Sequence, residues 1–246
     1  MIPVLDRLIG AFRGTVDDFG GDLGLSSELS LEPGSTGLCV LMPPWKTEAD
    51  YYKPVRKRIR ARGYSCLEYR VTSSLISPDH TYTAHSFMAI RDQAVADIER
   101  LVREHGFTAV QVIGVSIGCV EAAMVANSSP HVTKAVLVAP GNCLAESLWH
   151  GLKTRNVRAL FEEQGISLAE VKRAWAAVSP ENNLSGLRGK EIEVYLSKSD
   201  GNIPYRFGRS LVQSMRAAGL EPAVFENAFL GHYGTVLNYL WRGKIV

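Results

Sequence analysis

Short apolar segments rich in β-branched residues alternate along most of this chain with longer segments whose apolar residues recur at helical spacing. Residues 37–42 form a continuous apolar run, which is typical of a strand buried on both faces of a parallel sheet. Further strands are predicted at residues 64–71, 110–115, 133–139, 191–196 and 222–226, and an edge strand at residues 27–32. The alternation predicts the α/β class, with a doubly wound, mostly parallel sheet and right-handed crossovers.

The helical segments are defined by the spacing of their apolar residues. Helices are predicted at residues 48–62, 90–105, 205–218 and 233–240. Residues 72–86 are polar and rich in Ser, Thr and Pro, so a long loop carrying His80 and His85 is predicted there. Residues 2–19 predict an amphipathic helix that covers the main body or forms a homodimer contact. Its short stripe and mixed charges make binding to a membrane surface the less favoured interpretation.

The segment from residue 142 to about 187 breaks the alternation of strands and helices. Two helical stretches are predicted in it, at residues 145–163 and 168–178, with no strand between them. An all-helical insertion between two strands of one sheet indicates a cap over a site. We therefore predict a single domain over residues 1–246, with a helical cap inserted at about residues 142–187.

The chemistry centres on the sequence Gly114-Val115-Ser116-Ile117-Gly118, which joins an apolar strand to a helix pattern of small residues. Strand, sharp turn and helix in this order are the context in which a serine becomes a nucleophile. Glycine at both flanking positions avoids the crowding that any Cβ would meet in such a turn. The pentapeptide therefore predicts a nucleophile elbow with Ser116 as the nucleophile.

A serine hydroxyl needs a base within hydrogen-bond reach, and the base is best oriented by a carboxylate. In a parallel sheet such partners are expected just beyond the carboxyl ends of the strands. Asp200 directly follows the predicted strand at residues 191–196, and His232 follows the last predicted strand. The chain order Ser116, Asp200, His232 predicts a catalytic triad in which His232 is the base.

With these residues in this order, the chain resembles the α/β-hydrolase superfamily from about residue 30 onward. The family pattern of serine, acid and histidine matches Ser116, Asp200 and His232. The segment from Asp200 to Pro204 is similar to the acid loop of many members, in which a proline follows the acid by a few residues. The resemblance implies the α/β-hydrolase fold and its catalytic apparatus, and it specifies no substrate.

An oxyanion hole requires two backbone N–H donors. The first is expected from Ile117, because it opens a helix whose dipole favours negative charge. Many relatives have His-Gly in the loop that supplies the second donor, where this chain has Pro43-Pro44-Trp45. Proline has no N–H, so Trp45 is the predicted donor.

These residues predict a serine hydrolase that cleaves a carboxylic ester or thioester through an acyl-enzyme, with no metal and no organic cofactor. Acyl transfer to an alcohol or amine, or hydrolysis of a C–C bond, would use the same triad. An alternative of another class is a catalytically silent hydrolase fold that serves binding, which is favoured only by the Pro43-Pro44 departure.

Composition narrows the setting of this chemistry. The chain has 246 residues, of which 46% are hydrophobic and 21% charged, and its formal net charge of +2 gives no indication of nucleic-acid binding. The four cysteines are scattered without metal-ligand spacing. At least two of them fall inside apolar strand or helix patterns, which predicts buried free thiols in a reducing compartment. The sequence has no signal-like segment and no apolar run long enough to span a bilayer. A cytoplasmic protein without an integral membrane segment is therefore expected.

Two groups of residues leave alternatives open. The basic residues between Lys53 and Arg62 indicate either a solvated helix face or an attraction for anionic substrates or partners. Five aromatic residues suggest an apolar acyl pocket, although aromatic residues at these spacings are more often part of a core. They are Trp45, Tyr51, Trp149, Phe161 and Trp175.

Overall fold

The computed structural model describes residues 23–45, 52–77 and 79–242. Its strands are β1 (Ser26–Ser30), β2 (Gly37–Leu41), β3 (Ser65–Arg70), β4 (Ala109–Val115), β5 (Val132–Val138), β6 (Glu191–Ser197) and β7 (Ala223–Asn227). Its helices are α1 (Lys53–Ala61), α2 (His80–His105), α3 (Gly118–Ser128), α4 (Leu144–His150), α5 (Arg155–Glu163), α6 (Leu168–Ala174), α7 (Tyr205–Ala217) and α8 (Gly231–Arg242). Short 3-10 turns follow α6 at Ala176–Val178, Pro180–Asn182 and Ser185–Leu187.

The strands form one sheet in the order β1-β3-β2-β4-β5-β6-β7. β1 pairs with β3 in antiparallel orientation, and the other neighbouring pairs are parallel. The mostly parallel sheet expected from the sequence is therefore confirmed. Because parallel strands end at the same edge of a sheet, the loops that follow β2, β4, β6 and β7 meet along one edge.

The sheet has a hydrophobic core on each face. On β2, Leu38 and Val40 belong to the larger core, which also contains residues of α2, α3 and α7. Cys39 and Leu41 point to the opposite face and belong to the smaller core, with residues of α1 and α8. Burial on both faces is the reason that this strand has a continuous apolar run instead of an alternating pattern.

The long loop predicted over residues 72–86 is wrong in its second half, where α2 begins at His80. Asp79 caps this helix, because its carboxylate accepts hydrogen bonds from the backbone N–H groups of Thr81 at 2.9 Å and Tyr82 at 3.2 Å. The polar composition of the first turn conceals it from an analysis based on apolar spacing. His80 and His85 consequently lie on a helix.

The helical insertion between β5 and β6 is present, but the first helix predicted in it is divided in two. α4 ends at His150 and α5 begins at Arg155, with Gly151 in an extended conformation between them. A Cβ at Gly151 would lie 2.4 Å from the backbone oxygen of Asn202. Glycine therefore allows the insertion to lie directly against the loop that follows β6.

The four cysteines form no disulfide, and part of the basic face of α1 is paired with acidic residues of the same chain. All four cysteines are free thiols, and Cys143 alone among them is partly exposed. On α1, Arg56 forms an ion pair with Glu68, and Arg60 forms one with Glu32 at 3.1 Å. These contacts use part of the basic face without any external partner.

Several sequence predictions lie outside the described residues. They are the helix at residues 2–19, the first residues of the helix at 48–62, and Tyr51. Within the described part of the chain, no helix combines the length and the apolar character that crossing a bilayer requires.

Candidate active site

The turn between β4 and α3 has a strained backbone centred on Ser116. Its φ is 57°, in the left-handed region that residues other than glycine rarely adopt. The Ser116 N–H donates to the backbone oxygen of Val138 at 2.8 Å, which ties the turn to β5. A Cβ at Gly114 would lie 2.2 Å from the oxygen of Gly118 and 2.7 Å from the Cβ of Ala122. The glycine at position 114 is therefore what allows the strand and the helix to meet so closely.

Ser116, His232 and Asp200 form one chain of hydrogen bonds. Ser116 Oγ lies 2.9 Å from His232 Nε2, and His232 Nδ1 lies 2.8 Å from Asp200 Oδ2. Because an ionised carboxylate only accepts hydrogen bonds, Nδ1 carries the ring proton and Nε2 accepts from the serine hydroxyl. Asp200 and His232 are buried, and low dielectric surroundings strengthen such a network. The arrangement can transfer a proton from the serine oxygen to the imidazole.

The loop that follows β6 holds the Asp200 carboxylate in one orientation. Its Oδ1 accepts the backbone N–H groups of Asn202 and Ile203, each at 2.9 Å. Oδ2 is thereby turned toward His232. The loop before α8 is joined to the same segment, because the N–H of Gly231 donates to Ser199 Oγ at 3.1 Å.

His232 lies in the first turn of α8, which begins at Gly231, earlier than the start at residue 233 predicted from the sequence. The Thr235 hydroxyl donates to the backbone oxygen of Gly231 at 2.8 Å and accepts from the side-chain amide of Asn227 at 2.8 Å. These bonds fasten the helix start to the last residue of β7. The imidazole is thus carried by a helix that is anchored to the sheet.

Of the residues predicted to form an oxyanion hole, Ile117 lies within the elbow and Trp45 lies in the loop after β2. A Cβ at Gly118 would lie 2.8 Å from the backbone oxygen of Pro43, so the loop after β2 runs directly against the start of α3. The Trp45 indole N–H donates to Ser74 Oγ at 2.7 Å, which holds that side chain in place. Among the described residues, no acceptor takes the backbone N–H of Ile117 or of Trp45.

A cavity opens beside Ser116 and His232, between the edge of the sheet and the helical insertion. Its wall includes Trp45 and six aliphatic residues: Ile117, Val120, Leu144, Leu148, Pro180 and Ile203. Leu144 and Leu148 belong to α4, so the insertion covers part of the cavity. Nowhere in residues 23–45, 52–77 and 79–242 do three or more His, Cys, Asp or Glu side chains come together in a way that could hold a metal ion.

Most of the aromatic residues suggested for an acyl pocket lie elsewhere. Trp45 lines the cavity, whereas Phe161 stacks with Trp149 at 6.3 Å between ring centroids and meets Trp175 edge-on at 5.9 Å. The Trp175 indole also donates to the backbone oxygen of His80 at 2.8 Å. These three rings form the internal core of the insertion and its contact with α2, so the pocket interpretation is wrong for them.

Cys119 and Glu121, in the first turn of α3, are both buried, and the sequence analysis singled out only the cysteine. The Cys119 thiol contacts the backbone oxygens of Gly114 and Val138, both at 3.3 Å, and burial raises its pKa well above the ordinary value. The thiol therefore stays protonated, and its two contacts join the start of α3 to the ends of β4 and β5. The Glu121 carboxyl is completely buried without a hydrogen-bond partner among the described residues, and burial raises its pKa well above the ordinary value. An acidic residue in the first turn of a helix does not by itself reveal such burial.

No protein-family model and no curated protein sequence matches this chain. Solved structures resemble it in fold. An esterase from Pyrococcus furiosus is 12% identical, with a TM-score of 0.57 over 89% of this chain and 89% of the esterase. A carboxyl esterase from Bacillus coagulans is 9% identical, with a TM-score of 0.59 over 87% of this chain and 88% of the other. A structure from work on carboxylesterases of Nitrososphaera gargenis is 17% identical, with a TM-score of 0.56 and coverages of 87% and 89%. The likeness confirms the predicted α/β-hydrolase fold.

Proposed function

We propose that this protein, which has the α/β-hydrolase fold, is a serine hydrolase that cleaves carboxylic esters or thioesters through an acyl-enzyme. The proposal is carried by one observation. The hydrogen-bond chain from Asp200 through His232 to Ser116 ends on a strained turn at the wall of an apolar cavity. The names of the esterases that share the fold support the same reaction class.

In the acylation step, Ser116 Oγ attacks the carbonyl carbon of the substrate while His232 Nε2 takes the hydroxyl proton. The negative charge that develops on the carbonyl oxygen is stabilised by the N–H groups of Ile117 and Trp45. When the tetrahedral intermediate collapses, the bond from carbon to the leaving oxygen or sulfur breaks. Nε2 then delivers its proton to the departing alcohol or thiol.

In the deacylation step, water attacks the acyl-enzyme and gives a proton to Nε2 of His232. The bond between the acyl carbon and Ser116 Oγ breaks, and the proton returns to the serine. Asp200 keeps the imidazole in the tautomer that accepts from Ser116 and stabilises its positive charge in both steps. We also propose that the helical insertion at about residues 142–187 serves as a cap over the single domain, since α4 covers the cavity.

Active-site labelling and esterase kinetics test the proposal together. We expect the wild-type chain to hydrolyse short p-nitrophenyl esters and to react with a fluorophosphonate probe at Ser116. The Ser116→Ala variant should lose both properties, with a loss of about 10³-fold or more in kcat. Ser129, a buried serine at the end of α3, provides the matched control, because Ser129→Ala should keep both. A wild-type chain that hydrolyses no ester and takes no probe would instead be a silent binding fold.

A further inference from the structure

We infer that Lys153 makes this site selective for esters or thioesters whose leaving group carries an anionic substituent, a carboxylate or a phosphate. This inference rests on the proposed hydrolase function. It adds a specificity-determining residue that lies outside the chain of Ser116, His232 and Asp200.

The described part of the cavity wall carries a basic side chain and no acidic one. Among the described residues that line it, Lys153 is the only Lys or Arg, and none is Asp or Glu. Lys153 is exposed and forms no ion pair with any acidic residue of the described part. Elsewhere in the chain, Lys134 and Lys172 each pair with glutamate. A cation without a carboxylate, at the rim of an apolar cavity, is suited to an anionic group supplied by a ligand.

The ring of Tyr233 lies between the ammonium group of Lys153 and the imidazole of His232 in a chain of two contacts. Lys153 Nζ is 5.8 Å from the centroid of the Tyr233 ring, and that ring meets the His232 imidazole edge-on at 5.5 Å between centroids. His232 must deliver a proton to the leaving oxygen or sulfur, so the leaving group lies beside this imidazole. An anionic substituent on the leaving group can therefore reach the lysine, whose four-carbon chain is flexible.

The backbone on both sides of Lys153 is anchored, although the side chain is exposed. The N–H of Leu152 donates to the oxygen of Gly201 at 3.1 Å, in the loop that carries the acid. The Thr154 hydroxyl is buried and bonds to the oxygen of Gly151 at 3.1 Å. Less backbone freedom is lost when such a residue engages a ligand, which favours a binding role.

The test compares two esters that share an acetyl group and differ in the charge of the leaving group, 3-acetoxybenzoate and its methyl ester. A second pair, 3-acetoxyphenyl phosphate and its dimethyl ester, distinguishes a carboxylate from a phosphate. The measured quantity is the ratio of kcat/KM for the anionic ester to kcat/KM for the neutral ester. Dividing the wild-type ratio by the Lys153→Met ratio cancels the intrinsic reactivities of the esters.

We expect Lys153→Met to lower this ratio about fivefold for at least one pair, which is the upper range for a solvent-exposed ion pair. Lys153→Glu should lower it further, and kcat/KM for the neutral ester should stay within about twofold. The wild-type preference should also weaken between about 0.02 and 0.5 M salt, since exposed charges are screened. Lys198, an exposed lysine outside the cavity, provides the control, because Lys198→Met removes the same charge and should leave the ratio unchanged.

Unchanged ratios in both Lys153 variants would overturn the inference, as would an equal loss on charged and neutral esters. A p-nitrophenyl hemiglutarate and p-nitrophenyl valerate pair places the charge on the acyl group instead. A Lys153-dependent preference confined to that pair would also overturn the assignment to the leaving group. In each of these cases neutral esters would still be hydrolysed and Ser116 would still be labelled. If the hydrolase proposal itself were wrong, neither ester hydrolysis nor labelling of Ser116 would be observed.

Discussion

Replacing Asp200 by asparagine tests whether the orientation of one carboxylate controls the reaction. Oδ1 accepts two backbone N–H groups, from Asn202 and Ile203, so an asparagine at position 200 must place its amide oxygen there. Its NH2 group then faces His232 Nδ1, which has to accept a hydrogen bond. The ring proton moves to Nε2, and the imidazole can no longer take the proton of Ser116.

The size of the effect follows from the alternative rotamer. Turning the asparagine amide over would restore the right tautomer, but two N–H donors would then face an NH2 group. Each unsatisfied donor costs about 1–3 kcal/mol, so the competent rotamer lies about 2–6 kcal/mol higher in free energy. Because 1.4 kcal/mol corresponds to a factor of ten, this alone lowers the rate by about 30-fold to 10⁴-fold. The loss of the negative charge that stabilises the imidazolium lowers the rate further. We therefore expect Asp200→Asn to lower kcat about 10³- to 10⁴-fold.

The assay is steady-state hydrolysis of a p-nitrophenyl ester by the wild type, Asp200→Asn and Asp200→Ala, with thermal unfolding of each variant to verify folding. Alanine removes the charge but imposes no tautomer, so Asp200→Ala should be no less active than Asp200→Asn. Asp92 is an exposed aspartate, and Asp92→Asn should leave the kinetics unchanged. Control by the orientation of the carboxylate is contradicted if folded Asp200→Asn retains kcat within tenfold of the wild type, or if its kcat exceeds that of Asp200→Ala by more than tenfold.

Two further substitutions address the elbow and the buried acid. Gly118→Ala places a Cβ 2.8 Å from the oxygen of Pro43, so the loop that carries Trp45 must move; we expect kcat to fall about 10- to 100-fold with KM within about twofold. Steady-state kinetics on a variant that still unfolds cooperatively would measure this, and an unchanged kcat would show that the loop supplies no donor. Burial raises the pKa of the Glu121 carboxyl in the folded state. The stability that the protonated carboxyl contributes is therefore fully present below its ordinary pKa of about 4.5, and this contribution is lost as pH rises toward the folded pKa. Glu121→Gln has no such titration, so its free energy of unfolding relative to the wild type should increase by up to about 1.4 kcal/mol per pH unit in that window. Urea unfolding between pH 4 and 8 measures the difference, and parallel stability curves for the two proteins would contradict it.

The sequence predicted the main strands well because burial on both faces of a parallel sheet leaves a local, continuous apolar signal. The start of α2 was missed because a helix whose first turn is polar offers no apolar stripe, although Asp79 was available as a capping residue. The helix predicted at residues 145–163 is divided because Gly151 must approach the backbone of Asn202. That contact is between segments far apart in the chain and leaves no local pattern.

The elbow around Ser116 is predictable from the sequence, because strand, glycine-flanked turn and helix are adjacent in the chain and their steric demands are local. The sequence also marked Asp200 and His232 as candidates, because each follows a strand. The order of the strands in the sheet and the hydrogen-bond distances that join Ser116, His232 and Asp200 depend on contacts between segments far apart in the chain, which no local pattern specifies. The wall of the cavity also depends on packing, since an aliphatic or aromatic residue has the same apolar character in a core as in a pocket. Lys153 has no distinguishing mark in the sequence either, because its place in the cavity wall near Tyr233 follows from how the insertion lies against the sheet edge.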